Sequence, residues 1–173
     1  MFGRIGVMAV LAMLLAGCAS DRVGADYPAV AQRLGPPKPG QSRIVILSEK
    51  RIGIGAALAD VTVDGSPVGT VKAGTYIYAD RPAGRHTLVA TQALFPGDTK
   101  SEISTQSGRT YFFVVRNSER ANSVVGLTLV GGLAGALVAS AATSGAKNPG
   151  PVDFIPLDEA TARTTLAELQ LAE

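Results

Sequence analysis

The spacing of apolar and polar residues changes several times along this chain. Ile5 to Leu15 is uncharged and apolar, and it follows a single basic residue, Arg4. A membrane-spanning helix needs about 20 such residues, so this stretch predicts the apolar region of a secretory signal peptide instead. From Ala19 to Gln41 no period survives. Pro28, Pro36, Pro37 and Pro39 alternate there with Gly24, Gly35 and Gly40. Proline fixes φ and removes a hydrogen-bond donor, so an extended or irregular tether is predicted. As a flexible chain it would span about 25 Å on average.

Between Arg43 and Arg116 the pattern becomes short runs broken by turns. Seven strands are predicted: Arg43–Ser48, Ala59–Asp64, Pro67–Lys72, Thr75–Asp80, Arg85–Gln92, Thr99–Gln106 and Arg109–Arg116. Val61 and Val63, Val68 and Val71, Ile77, Leu88 and Ile103 sit in alternating contexts, the signature of half-buried strands. Asp64-Gly65 predicts a hairpin turn, because glycine accepts positive φ without steric cost. Pro82-Ala83-Gly84 and Pro96-Gly97-Asp98 predict further turns. Seven short strands at regular spacing predict a β-sandwich or barrel.

Beyond the strands, Ser123 to Ala142 is a run of 20 residues without a charge, in which Gly131 and Gly135 form G-x-x-x-G. As a helix it would be about 30 Å long, enough to cross a hydrocarbon core, and the two glycines would let helix backbones approach closely. Glycine is also a poor helix former in water. A helical hairpin packed on the sandwich, or an irregular insertion, is therefore an equally open expectation. Lys147 to Pro151 breaks the pattern, Val152–Pro156 predicts a last strand, and Asp158 predicts the N-cap of a short helix reaching about Leu169. Glu159 would favour its first turn, and Leu166 and Leu169 would dock it.

The apolar N-terminal run ends in Leu15-Ala16-Gly17-Cys18. This tetrapeptide resembles the lipobox of bacterial lipoproteins. The resemblance implies cleavage between Gly17 and Cys18, a diacylglyceryl group on the cysteine sulfur, and acylation of the new amine, as with palmitate. Several acyl chains on one residue would make membrane attachment stable. Ala19 follows the cysteine, where an aspartate would imply retention in the inner membrane. Resemblance to Gram-negative lipoproteins thus implies the outer membrane.

A second resemblance rests on the turns. Val61-Thr62-Val63-Asp64-Gly65-Ser66-Pro67-Val68-Gly69, Gly74-Thr75-Tyr76 and Pro82-Ala83-Gly84-Arg85-His86-Thr87-Leu88 are similar to the PEGA-type β-sandwich pattern. More closely, they resemble a family of uncharacterised bacterial lipoproteins with a PEGA-like domain, whose close is similar to Phe154–Arg163. The implied fold is a mainly β, antiparallel sandwich of about seven strands, with a Gly/Ala-rich helical segment and a short C-terminal helix. Asp64, Gly65, Gly69, Gly84 and His86 would be its structural motif residues.

The implied organisation is a signal peptide over 1–17, a lipidated N-terminus and tether over 18–41 and a sandwich over 42–121. The Gly/Ala-rich segment covers 122–146, and residues 147–173 complete the domain.

Composition narrows the chemistry. Cleavage removes 17 of the 173 residues and leaves 156, enough for one domain with a real core. It also removes Arg4, so 15 Lys and Arg face 14 Asp and Glu, a formal charge of +1. That balance gives nucleic-acid binding no electrostatic support. Cys18 is the only cysteine, so its lipidation would leave no disulfide and no thiolate site. There is no tryptophan, and Tyr76, Tyr78 and Tyr111 would make a weak stacking platform.

His86 is the only histidine. It is expected to bond loop backbone, with Asp64 and Asp80 as possible acidic neighbours, and a zinc site is not expected. Gly53–Leu58 lacks the third glycine and following helix of a dinucleotide fingerprint, so it is expected to be a loop. Asp60, Asp64, Asp80, Asp98 and Glu102 have no metal-loop spacing. Lys50-Arg51 and the pair Arg81 and Arg85 read as exposed turn residues.

No cofactor or metal is implied. The function expected is that of a non-enzymatic, periplasm-facing outer-membrane lipoprotein. It would be anchored by its lipid and would bind or scaffold an envelope protein. The alternative is a protein that inserts or oligomerises through residues 123–142.

Overall fold

The computed structural model describes residues 26–50, 57–127, 138 and 148–172. Among the described residues, nine strands form two sheets. In chain order they are β1 (Gln41–Leu47), β2 (Ala59–Val63), β3 (Ser66–Val71), β4 (Thr75–Pro82), β5 (Gly84–Thr91), β6 (Thr99–Thr105), β7 (Thr110–Asn117), β8 (Val152–Leu157) and β9 (Gln170–Leu171). Three helices accompany them: α1 (Tyr27–Leu34), α2 (described over 119–127) and α3 (Glu159–Leu166).

One sheet has the order β8-β7-β1-β4-β9, the other β3-β2-β5-β6. All seven strands expected between Arg43 and Arg116 are present, and so is the expected β8. The expected mainly β sandwich is present, and two details add to the expectation of an antiparallel sandwich of about seven strands. The short β9 brings the count to nine, and β1 pairs in parallel with β7, as β4 does with β9. Parallel pairing requires a crossover. Here the chain between β1 and β7 makes it by building the whole opposite sheet.

Two cores follow from the alternation of side chains across a strand. In β1, Ile44 and Ile46 face the opposite sheet and pack with Val61, Val63, Leu88 and Phe113. Val45 and Leu47 face the other way and pack with Tyr76, Phe112 and Val114 under α1 and α3. With both faces covered, Ser42 to Leu47 is buried throughout, which is why Ile44 to Leu47 is a continuous apolar run and not an alternating one.

The segment expected to be an extended tether over 18–41 is corrected as well. Residues 27–34 are helix α1, and its Tyr27 and Val30 are buried in the outer core. Tyr27 meets Tyr76 edge-on with ring centroids 5.6 Å apart. The local reason is readable in hindsight. The Asp26 side chain caps the helix by accepting from Ala29 N at 2.9 Å. Pro28 lies in the first turn, where a missing N–H costs nothing.

At the other terminus, Asp158 caps α3 by accepting from Thr161 N at 2.9 Å, as expected. The helix ends at Leu166, short of Leu169, and the chain turns into β9. Leu166 and Leu169 are both buried in the outer core.

Candidate functional site

The two turn motifs singled out in the sequence meet at one end of the four-stranded sheet. Asp64 and Gly65 join β2 to β3 with φ of 52° and 76°. Two consecutive positive φ values make the tight hairpin turn that matches strand twist, and aspartate tolerates the first of them. β5 pairs beside β2, with Val63 opposite Leu88. That register carries the Asp64 side chain past Thr87 to His86. Asp64 Oδ1 accepts from Thr87 N at 2.9 Å, and Oδ2 lies 2.7 Å from His86 Nδ1. His86 Nε2 lies 2.8 Å from the carbonyl oxygen of Pro82. One buried imidazole therefore ties the β2–β3 turn to the β4–β5 turn.

A carbonyl oxygen can only accept, so Nε2 carries a proton. The Asp64 carboxylate is also an acceptor, so a ring with both nitrogens protonated satisfies both partners as a donor. The Thr87 N–H, and after it His86, hold the Asp64 carboxyl below the usual carboxylate range. Both ring nitrogens are engaged, so neither is placed to take a proton from a substrate in this arrangement. The sequence reading named the histidine, its backbone partner class and Asp64 as a neighbour. Asp80, the other acidic neighbour considered, is engaged elsewhere.

The motif glycines divide by role. Gly65 and Gly84 have open space around them and serve the backbone, with φ of 76° and 152°. Gly69 is different, because a Cβ there would stand 3.3 Å from Ile77 Cγ2 across the sandwich.

Two buried arginines were missed. Arg43 stands directly opposite Asp80 in the β1–β4 ladder. It makes a two-pronged ion pair, Nε to Oδ1 at 2.7 Å and Nη2 to Oδ2 at 2.9 Å, and its Nη1 donates to Gly35 O at 2.8 Å. The bond to Asp80 raises the guanidinium's already high pKa. The signal was a lone basic residue opening the apolar run Arg43-Ile44-Val45-Ile46-Leu47. Arg120, at the start of α2, lies 5.3 Å over the Phe95 ring and donates to the carbonyls of Pro96 and Pro149.

The remaining candidates do not converge. Tyr76 is fully buried and its hydroxyl pKa is pushed up by that burial, so it offers no stacking surface. Tyr78 lies under Arg43 at 5.6 Å, and the Tyr111 hydroxyl accepts from Gln106 N. Asp60 accepts from the Thr70 hydroxyl. Asp98 pairs with Lys100 at 3.2 Å.

A cleft of about 390 Å³ opens beside β6 and β8 near Thr99, Asn148 and Asp153. Its polar groups bond one another, with Asn148 Nδ2 donating to Val152 O and Asp153 Oδ1 at 2.7 and 2.5 Å. Among the described residues, no group of three or more His, Cys, Asp and Glu could hold a metal ion. No helix among them is long and apolar enough to cross a membrane. Cys18 and Gly17, residues 53–56 of the expected loop Gly53–Leu58, and Gly131 and Gly135 lie outside the described residues.

No curated protein matches the chain. Residues 38–129, more than half of the chain, match the family described as "Protein of unknown function (DUF2846)". The match runs from just before β1 into α2 and contains both turn motifs and the His86–Asp64 pair. The chain belongs to the DUF2846 family.

Proposed function

We propose that this protein is a non-enzymatic lipoprotein of the outer membrane, with a PEGA-like sandwich that faces the periplasm and binds or scaffolds another envelope protein. The observation that carries the proposal is Leu15-Ala16-Gly17-Cys18, directly after an uncharged apolar run. The engagement of both His86 nitrogens supports a structural role for the one group that would otherwise suggest acid–base chemistry.

Mass spectrometry of the mature N-terminal peptide from membranes tests the anchor. A diacylglyceryl and acyl addition on Cys18, lost with release of the protein in Cys18→Ser, is expected. A free Cys18 thiol behind an intact 1–17 segment overturns the anchor. Hydrolytic turnover by the purified protein, abolished by His86→Ala, would overturn the non-enzymatic part.

A second reading gives membrane insertion to residues 123–142. The exposure of Leu127 and Val138 favours it. It requires Cys18→Ser protein to stay in carbonate-washed membranes, and Gly131→Leu and Gly135→Leu to disturb that behaviour without unfolding the sandwich.

A further inference from the structure

The two ends of the sandwich are built differently. Hydrogen bonds between the sheets fix which ends coincide: Ser42 Oγ donates to Thr105 Oγ1 at 2.8 Å at one end, and Thr99 Oγ1 donates to Val152 O at 2.5 Å at the other. The Ser42 end carries tight polar turns, among them Asp64–Ser66, Ala83 and Ser107–Gly108, and the α3 N-cap Asp158. The Thr99 end carries the longer connections β1–β2, β5–β6 and β7–β8 together with the tight β3–β4 turn at Lys72–Gly74. It also carries Asp26, which bridges to Gln170 there, so the described chain starts at this end.

The β5–β6 connection has an unusual tip. Leu94 is fully exposed, at 105%, and its φ is +64°. A leucine in the left-handed region is a strained conformation that persists only where the surroundings impose it, and such positions concentrate at functional sites. The surroundings here are a clamp. Buried Arg120 holds the next two residues, lying over the Phe95 ring and bonding Pro96 O, while also bonding Pro149 O. Leu94 is thus presented to solvent on a fixed base. Leu58, at the start of β2, is exposed at the same end, and Leu127 is exposed on α2, which departs from it.

We infer that the Thr99 end is a bilayer-facing pole and that Leu94 enters the interfacial layer of the membrane. The inference rests on the lipid-anchored reading of Cys18. Asp26 is eight residue steps beyond Cys18, at most about 28 Å of fully extended chain. Because Asp26 lies at this end, the lipid would be attached nearer to it than to the polar end. Lys100 is paired with Asp98 at 3.2 Å and Arg116 with Glu49 at 3.3 Å, while Lys50 and Lys72 are exposed at this end. Burial of an apolar side chain at the boundary of headgroups and acyl chains drives it. Neutral bilayers should therefore suffice, with anionic headgroups adding at most a modest gain through Lys50 and Lys72.

The test uses the full mature protein, purified with its Cys18 modification verified by mass. Once Cys18 is acylated, Leu94→Cys is the only thiol and takes an environment-sensitive fluorophore. Ser66→Cys, at the opposite end, is the control. With phosphatidylethanolamine–phosphatidylglycerol vesicles, the label at 94 should shift to shorter wavelength, brighten several-fold and be quenched by spin-labelled lipid. The label at 66 should not change.

If the protein floats with the vesicles while both labels stay water-like, the pole is overturned and the lipid anchor stands. If Cys18 proves unmodified, the anchor fails. The label at 94 is then read on the Cys18→Ser chain with the same vesicles, where an unchanged spectrum overturns the pole too. A shift at 94 that needs no vesicles and grows with protein concentration overturns it in favour of a second copy of the chain.

Discussion

The two cores on either side of β1 use alternate residues of the same strand, yet they draw on different parts of the chain. The inner core, between the sheets, takes all its buried members from residues 44–115 except Val152. The outer core covers Val45, Leu47, Tyr76, Phe112 and Val114 with Tyr27 and Val30 from one terminus and Ala162, Leu166 and Leu169 from the other. The family match over 38–129 contains nearly all of the inner core and none of the outer core's cover. The matched region is thus a sandwich with one apolar face that other segments must close. Left open, five large apolar side chains would meet water, well beyond the isolated exposed residues that are normal on a surface.

The strongest test of that comparison removes the cover. A chain ending after Leu157 loses α3 and β9 and should be recovered as aggregate, or without a cooperative unfolding transition. If it unfolds cooperatively as a soluble monomer close to the full chain's midpoint, the outer core does not hold the fold. Single residues sharpen the contrast. Leu166→Ala and Leu88→Ala each remove a fully buried leucine, one from each core. Each should cost about 2–5 kcal/mol in denaturant unfolding, the range for large-to-small core changes. The comparison adds that combining them should be nearly additive, since they share no packing partners across the sheet.

Legibility followed the same division. The inner layer was readable because its strands alternate, as in β2 and β5, and because Asp64-Gly65 and Pro82-Ala83-Gly84 mark its turns. The outer layer was half readable. Leu166 and Leu169 were expected to dock, and they do, but Leu169 does so from beyond the helix. α1 was missed because Pro28 was read as a breaker when it occupies a first helical turn capped by Asp26. The parallel β1–β7 pair was missed because strand order is a property of long-range closure that local pattern does not encode. At the turn cluster, His86 and Asp64 were named from the motif, but their contact depends on the β2–β5 register, and Arg43–Asp80 on the β1–β4 register.

Arg43 tests the rim of the outer layer. Arg43→Ala leaves Asp80 and the Gly35 carbonyl without their donor and unpins the C-terminal end of α1. Because Asp80 is partly solvated, with 31% of its side chain exposed, the loss should be about 2–3 kcal/mol, below that of a fully buried broken pair. Hydrogen exchange should rise first in α1. Equal acceleration in β2 and β3 would count against two separable layers.

The smallest effects belong to the turn clamp of the inner layer. His86→Ala removes two hydrogen bonds from one buried ring and should cost about 1–2 kcal/mol. Asp64→Asn should cost less, because asparagine keeps the left-handed turn and an acceptor for Thr87 N, and its amide NH2 can donate to His86 Nδ1 once that nitrogen carries no proton.

Its signature is in the pH dependence. The folded carboxyl of Asp64 lies below its unfolded value of about 3.9, so its contribution is complete above that value and disappears as pH falls through the folded one. Melting temperatures between about pH 5 and about pH 2 should therefore fall less steeply in Asp64→Asn than in the natural chain. The two curves should converge at the acid end. Parallel curves would mean that Asp64 holds the turns by shape alone, and that the charge it shares with His86 contributes nothing to the inner layer.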